Sequence, residues 1–186
     1  MGSEAQLRQF FSRTLRSTFP GLGIRDHEII QYIAGVLVQF ARTENIYRIR
    51  SIRGERLEFI AEMLMEIQAA REDLSHSIVR EREIRQHIGD YALFMLGIFR
   101  EYLERFGITG LYMMEGQTSY HRVWEWDRKL YRPGAQRFRE LSSRFQEYAG
   151  ALDFVKKTRL VMSSPRKDPF DRFLDQLERW VEERCS

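Results

Sequence analysis

The sequence predicts an all-α protein, a single-domain bundle of about seven helices around a buried central helix at residues 78–106. Three observations carry that expectation. Apolar residues recur at i, i+3, i+4 and i+7 along nearly the whole chain, the spacing that gathers them on one face of an α-helix. Strand-like alternation is almost absent, and only four prolines interrupt 186 residues. Hydrophobic residues make up 43% of the chain, enough for one core, since a globular chain of this length buries roughly 70% of its unfolded surface.

The elements follow in order. Ser3 and Gln6 have capping-box spacing, and Leu7, Phe10, Phe11 and Leu15 follow on one face. "FPGLGI" breaks that helix. Asp26 is the expected N-cap of a second, whose stripe is Ile29, Ile30, Ile33, Val36, Leu37 and Phe40. "RTENIYRIRSIRGER", residues 42–56, fits no helical period: loop, extended piece and frayed helix start all stay open. Leu57, Ile60, Ala61, Leu64, Ile67 and Leu74 define a third helix, weakening near "EDLSHS". The fourth runs from Ile78 through Ile84, Ile88, Ala92, Met95 and Phe99 to Phe106, with Gly107 as its stop. Residues 111–131 form a fifth. Pro133 suits the first turn of a sixth, which carries Phe138, Leu141, Phe145, Ala149, Leu152 and Val155. "SSPRKD", 163–168, is a linker dividing a bundle at 1–162 from a final helix at 169–186, with Asp168 as its cap.

Charge and cysteine content narrow the partners. Thirty basic residues against 27 acidic ones leave a net charge of +3, and only four of the thirty are lysine. Arginine suits carboxylates and phosphates alike. With acids spread among the helices, the charge lacks the single-faced concentration of a nucleic-acid binder, so nucleic acid is not the expected partner. The lone Cys185 has no internal disulfide partner. "MGSEAQLRQFF" lacks the basic-then-apolar order of a signal peptide. The apolar run "YALFMLGIF" has nine residues, whereas a spanning helix needs about 20. A cytoplasmic protein with no membrane partner is expected.

The fourth helix raises the sharpest question. Glu83, His87, Asp90, Phe94 and Gly97 lie opposite its apolar stripe, and from Tyr91 to Phe99 both sides are apolar. A helix buried all round needs small residues where neighbours approach, the role expected of Gly89 and Gly97 here and of Gly116 on the fifth helix. Asp90 then needs a buried partner. Tyr112, Gly116, Ser119 and Val123 share one face of the fifth helix with Tyr120 at its edge, so Ser119 or Tyr120 is expected to bond Asp90. The pairing of "IGDYALFMLGIF" with "YMMEGQTSY" resembles an uncharacterised family of bacterial all-helical proteins over about residues 75–125. That resemblance implies the helical fold and a bacterial cytoplasmic origin, and transfers no catalytic residue.

Catalytic constellations are not evident. Glu83, His87 and Asp90 share a helical face at ligand spacing, yet no Glu-x-x-His or HExxH occurs, and one cysteine excludes the usual zinc sets. They are the candidates for a metal, and neither a metal nor a cofactor is expected. No Walker loop or G-x-S-x-G elbow is present, and His121 with Glu125 fits a surface pair. "PGLGIRD" could offer amides to an anion but serves equally as a connector.

Two segments are better placed to bind. Residues 42–56 hold five arginines and two glutamates, so Arg48, Arg50, Arg53 and Arg56 form an anion or partner surface. Residues 168–184 hold six acidic and three basic residues, with Phe170, Phe173, Leu177 and Trp180 on one stripe. That helix is expected to dock on its own bundle, exchange with a second copy being the alternative. The leading expectation is therefore a non-enzymatic protein–protein interaction or regulatory module, acting on a partner or as a homodimer. The alternative is a ligand- or metal-binding bundle, or an enzyme, with a polar site between the fourth and fifth helices. Nucleic-acid binding through 42–56 comes third.

Overall fold

The computed structural model describes residues 2–42, 45–46, 48–72, 78–161, 175 and 179. These are all-α: eight α-helices and one 3-10 turn, with no strand among them beyond an isolated bridge between Arg50 and Arg56. The predicted linker at 163–168 and the stripe Phe170, Phe173, Leu177 and Trp180 lie outside the described residues. No described helix is long and apolar enough to cross a membrane.

The chain forms two compact units, Met1–Asn45 with Ala151–Ser186, and Ile46–Gly150. In the first, α1 (Gly2–Thr18) runs into a 3-10 turn (Phe19–Leu22) and then α2 (His27–Phe40). α1 is already helical at Gly2, so Ser3 lies within its first turn and not at the N-cap position. Phe11 and Leu15 of α1 are buried, as are Ile29, Ile33 and Leu37 of α2. Arg42, just beyond α2, reaches Glu4 near the start of α1 at 3.1 Å, so the pair is an antiparallel hairpin. Asp26 caps α2 by accepting from the amides of Glu28 at 2.8 Å and Ile29 at 3.2 Å.

The second unit is built on two 21-residue helices, α4 (Ile78–Ile98) and α6 (Thr109–Lys129), which pack along one another. α3 (Ile60–Glu72) precedes them, α5 (Arg100–Arg105) connects them, and α7 (Ala135–Ser143) packs on α6. α8 (Phe145–Val161) begins in this unit.

Four further expectations need correction. The central helix does not run unbroken over 78–106, because Phe99 leaves the helical region at φ −121, ψ 35. Its ring meets Phe94 edge-on at 5.8 Å, while its amide still donates to the Met95 carbonyl at 2.8 Å. The sixth predicted helix is two, α7 and α8, divided at Arg144 (φ −116, ψ 26), whose guanidinium spans the break to Glu140 and Glu147. Pro133 stands in the turn before α7, not in its first turn. Finally, α3 starts at Ile60 rather than Leu57; Leu57, Ile60 and Ile67 of the expected stripe are buried, but Met63 and Ala70 take the inward places expected of Ala61 and Leu64, so the inner face is partly rotated.

α5 and α6 end alike. Beyond α5, Ile108 donates to the Leu103 carbonyl at 3.0 Å and Gly107 to Glu104 at 3.1 Å, a Schellman pair that needs a left-handed residue, here Gly107 at φ 66. Beyond α6 the same pair runs from Arg132 to Asp127 at 2.8 Å and from Tyr131 to Arg128 at 3.2 Å, but the left-handed residue is Tyr131 at φ 49. A side chain there costs about 1 kcal/mol or more relative to glycine.

Candidate functional site

The α4–α6 seam is where the chain spends its small residues. From His87 to Phe99 thirteen consecutive residues are buried, Gly97 among them, because α4 has neighbours on every side. A Cβ on Gly89 would stand 2.6 Å from the Tyr120 ring, and one on Gly116 would stand 2.8 Å from the Ala92 Cβ and collide with the Phe145 ring. Gly89 and Gly116 therefore set how closely the two helices approach.

Buried polar groups tie the same helices together. The Tyr120 hydroxyl donates to Asp90 Oδ1 at 2.8 Å, both residues being at most 3% exposed. Ser119, fully buried, instead takes the Arg85 guanidinium at 3.4 Å. Arg85 also lies 3.6 Å from Glu115 of α6, and burial lowers its pKa. Farther along, Arg82 grips Asp127 with two bonds of 2.6 Å, and Arg132 adds a contact at 3.6 Å. Glu81, 4% exposed, accepts from Arg71 Nε of α3 at 3.2 Å. Arg71, Glu81, Arg82 and Asp127 were not singled out from the sequence, where arginines are too common for any one to signal a buried partner.

The metal candidates are not brought together. Glu83 is half exposed and lies 3.9 Å from Arg80, while His87 turns inward and its Nε2 meets the Ile46 carbonyl at 3.2 Å. Among the described residues, no group of three or more His, Cys, Asp or Glu side chains stands close enough to hold a metal ion. Burial lowers the His87 pKa from 6.5 to about 4, against the raising effect of the Ile46 bond, so the ring is neutral at pH 7 and donates from Nε2. Burial also lifts Tyr112 to about 12 and raises Tyr91 beside it. Two amides of "PGLGIRD" are spent internally, Gly23 on Pro20 and Ile24 on Phe19.

His87 makes stability pH-dependent in a defined window. Below pH 6.5 the unfolded chain binds a proton that the folded chain refuses until about pH 4. The His87 contribution to stability therefore falls as pH drops from 6.5 to 4 and is constant below. The full difference is about 3 kcal/mol, at roughly 1.4 kcal/mol per pH unit. His87→Gln keeps a donor for Ile46 and cannot titrate, so its urea-unfolding free energy should decline less across that window. A wild-type-to-variant difference constant from pH 7 to 4 would refute the assignment.

The arginine segment forms a second, exposed candidate. Ser51–Gly54 is a turn closed by Gly54 donating to Ser51 at 2.9 Å, and Ser51 donates to the Glu55 carbonyl at 2.9 Å. Side chains from other elements pin it: Glu66 of α3 accepts the Ile52 amide at 2.8 Å, and Arg80 of α4 bonds the Arg50 carbonyl. Ile46 and Ile49 are buried beneath, while Arg48, Arg50, Arg53 and Arg56 stay exposed. Between this turn and α3 lies an open groove of about 710 Å³. Ile52, 61% exposed, and Met65, 71% exposed, line it with Arg53 and Arg56 and with Glu55, Glu62 and Glu66. Neither Ile52 nor Met65 was expected there. Met65 falls outside the apolar stripe of α3, which was the available signal.

Fold and seam define the chain as an all-α bundle held by a glycine-lined helix pair with buried ion pairs. No protein-family model, curated protein or solved structure matches it.

Proposed function

We propose that this protein acts by binding another protein chain, through the groove between the Ser51–Gly54 turn and α3. The observation that carries this reading is the pair Ile52 and Met65, two large apolar side chains left in solvent on one groove and flanked by charged side chains of both signs. Exposed apolar surface with a charged rim is what a protein contact uses. The turn's backbone is fixed by Glu66 and Arg80, so little ordering cost remains on binding. Arg53 and Arg56 give the groove its cations and Glu55, Glu62 and Glu66 its carboxylates, so it suits a segment with apolar anchors and charges of both signs. Residues 168–184 of a second copy have that chemistry, at six acidic to three basic residues with Trp180 among the anchors. On this reading the protein is a homodimer.

The test combines light scattering on the full chain with fluorescence anisotropy of a labelled peptide of residues 168–184. Wild type should scatter as a dimer and bind the peptide. Met65→Glu and Ile52→Glu should each weaken both by tenfold or more, since burying one such side chain is worth about 1.5–3 kcal/mol. A monomeric wild type that ignores the peptide would defeat the reading.

A further inference from the structure

A different corner of the molecule carries an inference independent of the groove. At the end of α6 and the start of α7, residues 121–140 hold six arginines and lysines against three carboxylates. All three carboxylates are committed. Glu125 pairs with Arg122 at 3.0 Å, Asp127 is held by Arg82 and Arg132, and Glu140 takes Arg144 and Tyr148. Arg128, Lys129 and Arg139 have no carboxylate within ion-pair distance among the described residues.

Two of those cations are organised on one ring. The guanidinium of Arg128 lies over the Trp124 indole at 5.1 Å, and that of Arg139, arriving from α7, lies over it at 5.6 Å. A guanidinium held over an aromatic face is kept in place while its N–H groups can still donate at its rim. One turn on stands Tyr131, 94% exposed. It is also the single non-glycine residue with positive φ among the described residues. Its amide is bonded to the Arg128 carbonyl, which keeps the ring at the same helix end as the cations. The capping geometry needs a left-handed residue, and glycine meets that need at α5. Here the chain carries a strained aromatic that covers nothing, and strain at an exposed side chain points to use.

We infer that this corner binds single-stranded nucleic acid, with phosphates on Arg128, Lys129 and Arg139 and a base stacked on the Tyr131 ring. Aromatic faces beside arginines are the means by which unpaired bases are held without reading their sequence. An acidic protein segment would use the cations but has no need of an open tyrosine face. The chain's net charge of +3 hides the concentration, because acids elsewhere offset it.

The experiment is fluorescence anisotropy of a labelled 15-nucleotide oligo-dT with the full-length protein, from low to moderate salt. Binding should weaken with a log–log salt slope of about −2, at roughly 0.7 per phosphate. Tyr131→Gly separates recognition from folding: it should raise the Tm by about 2–4 °C through relief of the left-handed strain, yet weaken binding about tenfold through loss of stacking. Tyr131→Phe should keep the affinity. Arg128→Gln with Arg139→Gln should make the slope shallower by about 1.4. Absence of binding at low salt, unchanged affinity in Tyr131→Gly, or equal competition by polyglutamate would each overturn the proposal.

Discussion

Gly116→Ala is expected to destabilise the protein by about 3 kcal/mol, the upper end of ordinary overpacking costs. The added Cβ would collide with the Phe145 ring and stand 2.8 Å from the Ala92 Cβ. Neither neighbour yields cheaply. Ala92 is a stub fixed to the α4 backbone, and Phe145 is 1% exposed and edge-on to Tyr120 at 5.8 Å. Swinging Phe145 aside would displace Tyr120, whose hydroxyl satisfies Asp90. The helices must separate instead, which opens voids along the seam. Urea unfolding of the single variants and of Gly116→Ala with Ala92→Gly checks this. The double variant should lose less than the sum of its parts, because one of the obstructing atoms is gone. A Gly116→Ala midpoint equal to wild type would mean that the helices do not approach as closely as described.

Arg82→Met is expected to cost about 3 kcal/mol as well, by a different route. Asp127 is 2% exposed and takes two bonds of 2.6 Å from Arg82. With Arg82 removed, its carboxylate keeps only the longer contact to Arg132, a side chain 39% exposed. The methionine stem still packs near Phe138, so the loss reports the stranded charge rather than a cavity. Arg82→Met with Asp127→Leu should recover most of the stability, since a buried ion pair is commonly replaceable by apolar groups of similar size. If the double variant is as unstable as the single one, packing by the guanidinium dominates.

Much of the fold was legible because periodicity was strong where burial was one-sided. α1 and α2 show it, and Asp26 marks its own cap. The α4–α6 pair was signalled by what did not fit: glycines and an aspartate within an apolar stretch. Which hydroxyl meets Asp90 was not legible, since Ser119 and Tyr120 differ by one residue, about 100° of helix rotation. The breaks at Phe99 and Arg144 carry neither glycine nor proline, and each is accompanied by a side-chain contact, Phe99 with Phe94 and Arg144 with Glu140 and Glu147, that apolar periodicity does not record. The rotation of α3 had the same origin: the arginine turn takes Glu66 inward, and Met65 is thereby left outside. Tyr131 escaped notice because its backbone angle, not its identity, makes it unusual.

The unbroken burial of His87–Phe99 has a consequence during synthesis. An amphipathic helix can leave the ribosome with one wetted side, but this stretch has none to offer. Its chief cover, α6, is complete only at Lys129, about thirty residues later. At about 5–20 residues per second the nascent chain carries an uncovered greasy rod for roughly two to six seconds. Slow codons placed between those helices would lengthen that interval and lower the soluble yield without altering one residue of the finished protein.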